Sequence, residues 1–340
     1  MQTVHQYIER DSGRVRTEKL YGDRLIRLLY NGVRENAPLL FRLVTSARAS
    51  GLLGFINFDA PLTGGVAGNR RFLAECGVDL GECIDPPEFF VTPRKVFERR
   101  IHYRERRPMP DDPSAVVSPA DSRVLIGSFR ERSSLFLKDK FFDYEEFFGR
   151  DKREWLAAFD RGDFAIFRLT PDKYHYNHTP VAGRVADIFE IAGGYHSCNP
   201  GAVVQVVTPY SKNKRVVTII DTDVPGGTGV GLVAMIEVVA LMIGEIVQCY
   251  SAVGYDDPLP VRPEMFLEKG APKSLYRPGS STDVLIFQEG RIDFARDLIE
   301  DLIENMYTVK AGSRFSRGFG RPLVETDVKV RSLIATARRK

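Results

Sequence analysis

Short apolar segments separated by turns dominate the chain from residue 114 onward. Residues 279–287 show the pattern, because a small-residue turn leads into a β-branched, apolar run that predicts a buried strand. The same pattern predicts strands at 115–117, 124–126, 164–169, 203–207, 216–220, 232–240 and 243–249. Helical spacing of apolar residues predicts helices at 144–159 and 292–305. We therefore expect a mixed α/β fold that is mostly β.

The first sixty residues differ from the rest in texture. Residues 1–20 are polar and predict a solvated lead-in, whereas leucines at helical spacing predict two helices between residues 25 and 56. These helices could pack on the core, or lie on a membrane surface with their apolar face down. We expect a helical, membrane-associating segment at 1–60 and one larger domain at 61–340.

Composition and charge exclude several classes of protein. The 340 residues are 43% hydrophobic and 27% charged, with a net charge of +3, so nothing in the totals indicates a nucleic-acid partner. The basic run 94–107 predicts a solvated face or, alternatively, a patch for anionic lipid headgroups. The chain begins with polar residues and has no apolar run of about 18 residues, so we expect neither a signal peptide nor a membrane-spanning helix. Four cysteines without metal-type spacing favour a reducing, cytoplasmic location.

Three segments carry side chains suited to catalysis. His175 and His178 lie three residues apart between two prolines, which predicts a loop or strand end. A zinc site is disfavoured because the chain has no HExxH motif and no third ligand nearby, so we expect no metal. Asp121 follows a tight turn, where it could cap the turn or orient an imidazole. Ser280 or Ser281 could supply a hydroxyl nucleophile.

Four motifs in order resemble those of the phosphatidylserine decarboxylases, a family of pyruvoyl-dependent enzymes. Residues 118–122 resemble the family's Pro-x-Asp-Gly turn, and residues 174–180 its Tyr-His-x-x-His-x-Pro motif. Residues 194–200 resemble its Tyr-Ser-Val-Asn-Pro segment. Lys269-Gly270 followed by Gly279-Ser280 resembles its Lys-Gly…Gly-Ser-Thr cleavage site. The likeness covers roughly residues 20–325.

The resemblance implies that the chain makes its own cofactor. A serine hydroxyl attacks the preceding carbonyl, the resulting ester eliminates, and hydrolysis leaves a pyruvoyl group. Counting from Lys269 assigns the serine as Ser280, with Gly279 before it, and counting back from Phe287 assigns Ser281. We favour Ser280, since glycine lets the backbone twist and the carbonyl be approached. Cleavage would then give a large (β) chain, 1–279, and a small (α) chain, 280–340.

The resemblance also implies roles for the other motif residues. Asp121 and His178 would form the relay that removes the hydroxyl proton, and His175 would return a proton to the substrate's α carbon. Tyr174 and Asn199 would hold the substrate or the cleavage-site loop.

The implied function is conversion of phosphatidylserine to phosphatidylethanolamine and CO₂ through a Schiff base with the pyruvoyl group. We expect a phospholipid substrate, a peripheral position at an anionic membrane surface in the cytoplasm, and a chain able to form homo-oligomers. One alternative is a soluble pyruvoyl-dependent decarboxylase of a free amino acid, such as an aromatic one. Another is a lipid-binding relative that never cleaves itself.

Overall fold

A computed structural model describes residues 4–20, 77–130, 141–206, 208–240, 245–278, 281–308, 311–319 and 322–338. The helices predicted between residues 25 and 56 lie outside these ranges, as do Gly279 and Ser280. No helix among the described residues is long and apolar enough to cross a membrane.

Strands form most of the regular structure. In chain order they are β1 (Gln6–Glu9), β2 (Arg14–Thr17), β3 (Ala115–Val117), β4 (Ser122–Ser128), β5 (Asp163–Leu169), β6 (Tyr176–His178), β7 (Gly183–Ile191), β8 (Arg215–Asp221), β9 (Leu232–Val239), β10 (Ile246–Gln248), β11 (Phe266–Leu267), β12 (Pro272–Tyr276), β13 (Ser281–Phe287), β14 (Ile292–Phe294), β15 (Glu325–Val328) and β16 (Leu333–Ala337). This confirms the predicted mostly-β class.

The helices are short and lie between the strands. They are α1 (Pro93–Phe97), α2 (Tyr103–Arg106), α3 (Tyr144–Phe148), α4 (Arg153–Ala158), α5 (Pro200–Val203), α6 (Pro209–Lys212), α7 (Arg296–Thr308) and α8 (Arg314–Phe319). Two 3₁₀ turns, Leu80–Glu82 and Pro87–Phe89, precede α1.

A ten-stranded sheet organises the fold, in the order β11-β7-β8-β9-β13-β5-β4-β15-β1-β2. Strand β13 lies inside it and pairs antiparallel with β9 and β5 along its whole length. Every residue of β13 is buried, which explains why its sequence is a nearly continuous apolar run. Both faces of this sheet contribute to the main core, with Phe167 on one face and Ile236 and Val284 on the other.

Two three-stranded sheets complete the architecture, with orders β10-β12-β6 and β14-β16-β3. The first contributes Tyr276 and Ile246 to a cluster with Leu169 and Ala120 at one end of the large sheet. This small sheet therefore covers the end of the large sheet at which β13 begins.

The predicted solvated lead-in is wrong, because residues 6–17 form the β1–β2 hairpin at the edge of the large sheet. The buried guanidinium of Arg168 donates to Glu18 and Glu325, and His5 lies 2.8 Å from Glu325. His5, Glu18 and Glu325 are close enough to share a metal ion. Since Arg168 and Arg123 already pair with these carboxylates, the cluster is an ion-pair network that fixes the hairpin.

Three other segments differ from the sequence prediction. The predicted helix 144–159 is two helices, because Gly149 adopts a positive φ of 91° after α3. The predicted strand 203–207 is wrong over residues 203–206, which are the end of α5 and a turn, and residue 207 is outside the described residues. The predicted helix 292–305 begins as strand β14 and becomes helical only at Arg296.

Candidate functional site

The sheet register gathers the predicted site residues at one end of the large sheet. Ser281, the first residue of β13, lies opposite Leu169 at the end of β5 and opposite Val239 at the end of β9. Strand β4 pairs with β5 and begins at Ser122, so Asp121 lies at the same end, two strands from Ser281. Two strand spacings correspond to about 10 Å. Segments more than a hundred residues apart in sequence therefore meet here.

The cleavage segment connects two sheets at this end. Strand β12 ends at Tyr276 and β13 begins at Ser281, and the intervening residues include Gly279 and Ser280. The Tyr276 hydroxyl donates to the Thr282 carbonyl at 3.1 Å and to Asp283 Oδ1 at 2.7 Å. These bonds hold the two ends of the connection close together.

Several buried polar atoms at this site have no hydrogen-bond partner among the described residues. They include Oγ of Ser281, Oδ2 of Asp283 and both ring nitrogens of His175. Buried polar atoms are paired in the great majority of cases, because an unpaired one costs about 1–3 kcal/mol. Those on Ser281, Asp283 and His175 lie beside the cleavage segment, where they are free to bind a reacting group.

A buried network of polar side chains lies beneath the start of β13. Glu237 is opposite Asp283 in the sheet, and it pairs with Lys273 at 2.7 Å and with the Ser274 hydroxyl. Burial raises the pKa of Asp283 well above its usual value, and the charge of Glu237 raises it further. These effects favour the neutral form of the Asp283 carboxyl, whereas Lys273 balances the charge of Glu237.

His175 lies close to the cleavage segment. Its carbonyl accepts a hydrogen bond from the Tyr276 backbone at 3.1 Å, and its ring contacts that of Phe97 with 4.6 Å between centroids. Burial lowers the pKa of His175 to about 3, and the charge of Arg99 lowers it as well. The imidazole is therefore neutral, and each of its nitrogens can still accept or donate a proton.

Both ring nitrogens of His178 have hydrogen-bond partners. Nδ1 lies 2.8 Å from the Gly270 carbonyl, and Nε2 lies 2.9 Å from the Tyr174 hydroxyl. A carbonyl oxygen can only accept, so Nδ1 carries the proton and Nε2 accepts from Tyr174, whose oxygen lies 2.7 Å from the Tyr255 hydroxyl. Burial lowers the pKa of His178 to about 3, although the bond to Gly270 opposes this effect.

Asp121 has partners other than the predicted histidine. Its carboxylate accepts from Arg107 at 2.7 and 2.9 Å, and from the Val330 backbone at 2.8 Å. Burial alone would raise the pKa of Asp121, but the charge and hydrogen bonds of Arg107 hold it below its usual value. The His178 backbone donates to the Pro119 carbonyl at 2.7 Å, so the two motifs are neighbours without a direct bond between Asp121 and His178.

The two residues predicted to hold substrate have structural partners. Asn199 is the N-cap of α5, where its side-chain oxygen accepts from the Gly201 backbone at 2.8 Å. Tyr174 is fully buried, and its hydroxyl is shared between His178 and Tyr255. Their predicted contact with substrate stays a prediction.

The sequence reasoning missed four residues that build this site: Asp283, Glu237, Lys273 and Arg107. Two of them left a signal in the sequence, because Asp283 and Glu237 interrupt apolar runs that predict buried strands. A charged residue within such a run needs a partner. The identity of that partner depends on strand pairing, which the sequence does not show.

Comparison with known proteins agrees with this geometry. The family model described as phosphatidylserine decarboxylase matches residues 94–317, which include every described candidate residue. The phosphatidylserine decarboxylase proenzyme of Fusobacterium nucleatum is 28% identical over 319 residues, covering 91% of this chain and 96% of that protein. That of Chlamydia trachomatis serovar L2 is 28% identical over 316 residues, covering 91% and 97%. Proenzyme 3 of Schizosaccharomyces pombe is 27% identical over 313 residues, covering 91% of this chain and 30% of that protein.

Proposed function

Because the chain belongs to the phosphatidylserine decarboxylase family, we propose that it cleaves itself at the start of β13 and then decarboxylates phosphatidylserine. The observation that carries this proposal is the group of unpartnered, buried polar atoms on Ser281, Asp283 and His175 beside the cleavage segment. The relatives named above are proenzymes, which supports a chain that must be processed before it acts.

The residues at this site fit a pyruvoyl group made from the chain. Ser281 lies where the small sheet meets the large one. Buried polar atoms surround it, and its Oγ has no hydrogen-bond partner among the described residues. The ketone of such a group captures the substrate amine and withdraws the electrons released when CO₂ leaves. The sequence alone favours Ser280, preceded by Gly279, as the precursor, with Ser281 as the second candidate, and only Ser281 is among the described residues.

Self-cleavage needs a base for the serine hydroxyl, and we assign this role to His178. Its neutral imidazole can take a proton, provided that Nε2 exchanges the Tyr174 hydroxyl for that of the serine. Asp121 is kept ionised by Arg107, and its negative charge nearby would stabilise the imidazolium that forms.

Decarboxylation needs a proton donor for the α carbon, and we assign this role to His175. The residue is neutral and buried, its nitrogens are unpartnered, and its backbone is bonded to Tyr276 at the start of the cleavage segment. A ring nitrogen without a hydrogen-bond partner can donate its proton to a carbon without first breaking another hydrogen bond.

The names of the relatives favour a phospholipid substrate over a free amino acid. A phospholipid must reach the site from a membrane surface. The predicted helices between residues 25 and 56 would supply that contact. The test is a variant that lacks residues 25–56 and keeps the β1–β2 hairpin. If this variant still folds and cleaves but no longer decarboxylates phosphatidylserine in vesicles, the interpretation is supported. Faster CO₂ release from free amino acids without lipid would contradict it.

The proposal is tested by mass spectrometry of the purified protein. We expect two chains whose masses sum to that of the precursor plus one water less one ammonia, and a small chain that reacts with hydrazines. Reduction with borohydride in the presence of phosphatidylserine should add the mass of the lipid product to the small chain. A folded protein that stays one chain, with no reactive carbonyl, would contradict the proposal.

A further inference from the structure

Two side chains at the start of β13 point to the same face of the large sheet. Successive strand residues alternate between faces, so Ser281 and Asp283 share one face while Thr282 occupies the other. Leu169 and Val239 lie beside Ser281, and Glu237 lies beside Asp283. All three neighbours contact residues that belong to, or pack on, the small sheet β10-β12-β6.

Asp283 has one carboxyl oxygen in use and one without a partner. Oδ1 accepts from Tyr276 at 2.7 Å, whereas Oδ2 is fully buried and has no partner among the described residues. The charged and titratable groups facing this carboxyl are Glu237 on β9, and Lys273 and Tyr276 on β12. Since Lys273 is bonded to Glu237, the Asp283 carboxyl has no cation of its own.

We propose that Asp283 carries a proton on Oδ2 and donates it in a hydrogen bond to Oγ of Ser281, when this oxygen leaves during self-cleavage. The inference rests on the proposed self-cleavage and assigns Ser281 as the serine that is converted. The large chain would then end at Ser280, and the small chain would begin at residue 281.

The step that Asp283 assists is the elimination. His178 first takes the Oγ proton of Ser281 and passes it to the amide nitrogen as the acyl group of Ser280 moves to Oγ, which gives an ester. The same base, neutral again, then removes the Cα proton of residue 281. That electron pair forms the Cα=Cβ bond, and the Cβ–Oγ bond breaks with its electrons staying on Oγ.

The departing oxygen becomes part of a carboxylate at the end of the large chain. A negative charge therefore develops at a buried position, on the face of β13 that carries Asp283. A neutral carboxylic acid stabilises that charge through its O–H group, whereas an ionised one would repel it. Burial and Glu237 keep Asp283 in the neutral form that this role needs.

The geometry that supports Ser281 is its position in β13. Ser281 and Asp283 are described residues of one strand, and their even spacing places both side chains on the same face. The inference therefore assigns Ser281 on the pairing of a serine with an acid two residues later.

The test follows cleavage of the full chain during cell-free synthesis, with and without hydroxylamine. Hydroxylamine splits the ester and leaves a small chain that begins with a free serine, whereas elimination leaves one that carries a ketone. In Asp283→Leu we expect ketone formation to slow about tenfold or more, the loss typical of a hydrogen bond to a charged oxygen. The hydroxylamine-sensitive ester should accumulate, since the acyl shift does not need Asp283.

Asp283→Asn keeps the shape of the side chain and a weaker N–H donor, so it should slow elimination less and still accumulate ester. Thr218→Val is the matched control, because it removes another unpartnered buried hydroxyl from the same sheet, on β8. It should process as the unaltered chain does. Circular dichroism of each variant verifies that the fold is retained.

Three results would overturn the inference while leaving self-cleavage intact. They are elimination at the unaltered rate in both Asp283 variants, a folded Asp283 variant that forms no ester, and ketone formation in Ser281→Ala but not in Ser280→Ala. A folded, unaltered chain that never splits would instead overturn the proposed function.

Discussion

Replacement of Arg107 by methionine should destabilise the protein, because it leaves the Asp121 carboxylate buried without its counter-ion. The side chains of Arg107 and Asp121 are only 10% and 8% exposed, and two hydrogen bonds join them in addition to their charges. Methionine retains most of the apolar volume of arginine. The variant therefore isolates the loss of the charge and its hydrogen bonds.

Removing one partner of a buried ion pair costs about 3–5 kcal/mol. In the variant, Asp121 keeps its hydrogen bond from the Val330 backbone, which reduces this cost. Glu82 loses its 2.9 Å hydrogen bond from Arg107, which adds to the cost. We expect the free energy of unfolding to fall by about 3 kcal/mol. For a chain of 340 residues, that corresponds to a Tm lower by about 4 °C.

The loss should depend on pH, with a sign that identifies Asp121 as the source. In the unaltered protein the folded pKa of Asp121 is depressed, so the pair stabilises the fold above about pH 4 and its contribution disappears as the pH falls through the folded pKa. In the variant, burial without Arg107 raises the folded pKa above the unfolded value. The penalty is then greatest near neutral pH, and protonation relieves it as the pH falls.

Chemical denaturation at pH 7.5 and at pH 5 measures both effects. The stability difference between Arg107→Met and the unaltered protein should shrink at the lower pH. Arg106→Met is the control, since Arg106 is the neighbouring arginine and is exposed, so its loss should change stability by less than about 0.5 kcal/mol. A difference that is constant or larger at pH 5 would refute the assignment to Asp121.

Three further predictions follow from the same site. His175→Ala should cleave normally but release CO₂ from phosphatidylserine about 100-fold more slowly, as is typical for loss of a general acid; unchanged turnover would remove its proton-transfer role. Lys273→Met should lower the free energy of unfolding by about 3–5 kcal/mol, because Glu237 is fully buried and keeps only uncharged partners. Chemical denaturation measures this change, and a loss below about 1 kcal/mol would contradict the pairing of Lys273 with Glu237. After cleavage, the small chain should co-elute with the large chain in gel filtration and separate only under denaturing conditions; separation in native buffer would contradict the sheet register.

Several strands that the sequence predicted correctly are buried on both faces. Residues 216–220 and 232–240 are mostly apolar because β8 and β9 lie inside the large sheet, so their local composition reflects their final environment. Residues 203–207 failed as a predicted strand although valines dominate them. Asn199 and Pro200 immediately before them are a helix N-cap and a first-turn proline, and these local signals favoured α5.

The N-terminal hairpin could not be predicted from its own residues. Strands β1 and β2 are mostly polar, and what fixes them is the ion-pair network between Glu18, Arg168 and Glu325. Its members are about 150 residues apart or more in sequence. A long-range network of this kind leaves no periodicity in the sequence.

The motif residues of the candidate site were found from the sequence, but their bonding was not. The sequence placed Asp121, His175 and His178 in turns or strand ends, which the structure agrees with. It did not show that Arg107 holds Asp121 or that Tyr174 occupies Nε2 of His178. Those contacts depend on how the small sheet lies against the large one.

The position of the proposed cut would explain how a chain can be cleaved at its active site and keep its fold. Strand β12 ends at Tyr276 and β13 begins at Ser281, so a cut before Ser281 leaves both strands whole. Strand β13 keeps seven residues paired with β9 and seven with β5, and β15 remains paired with β4 and β1. The small chain contains no cysteine, so these strand pairings and the packing around them must hold it. The Lys273–Glu237 pair and the Tyr276 hydroxyl continue to connect the two sheets across the break. The proposed cut would therefore place a new chain end beside His175, in a site that the uncut fold has already built.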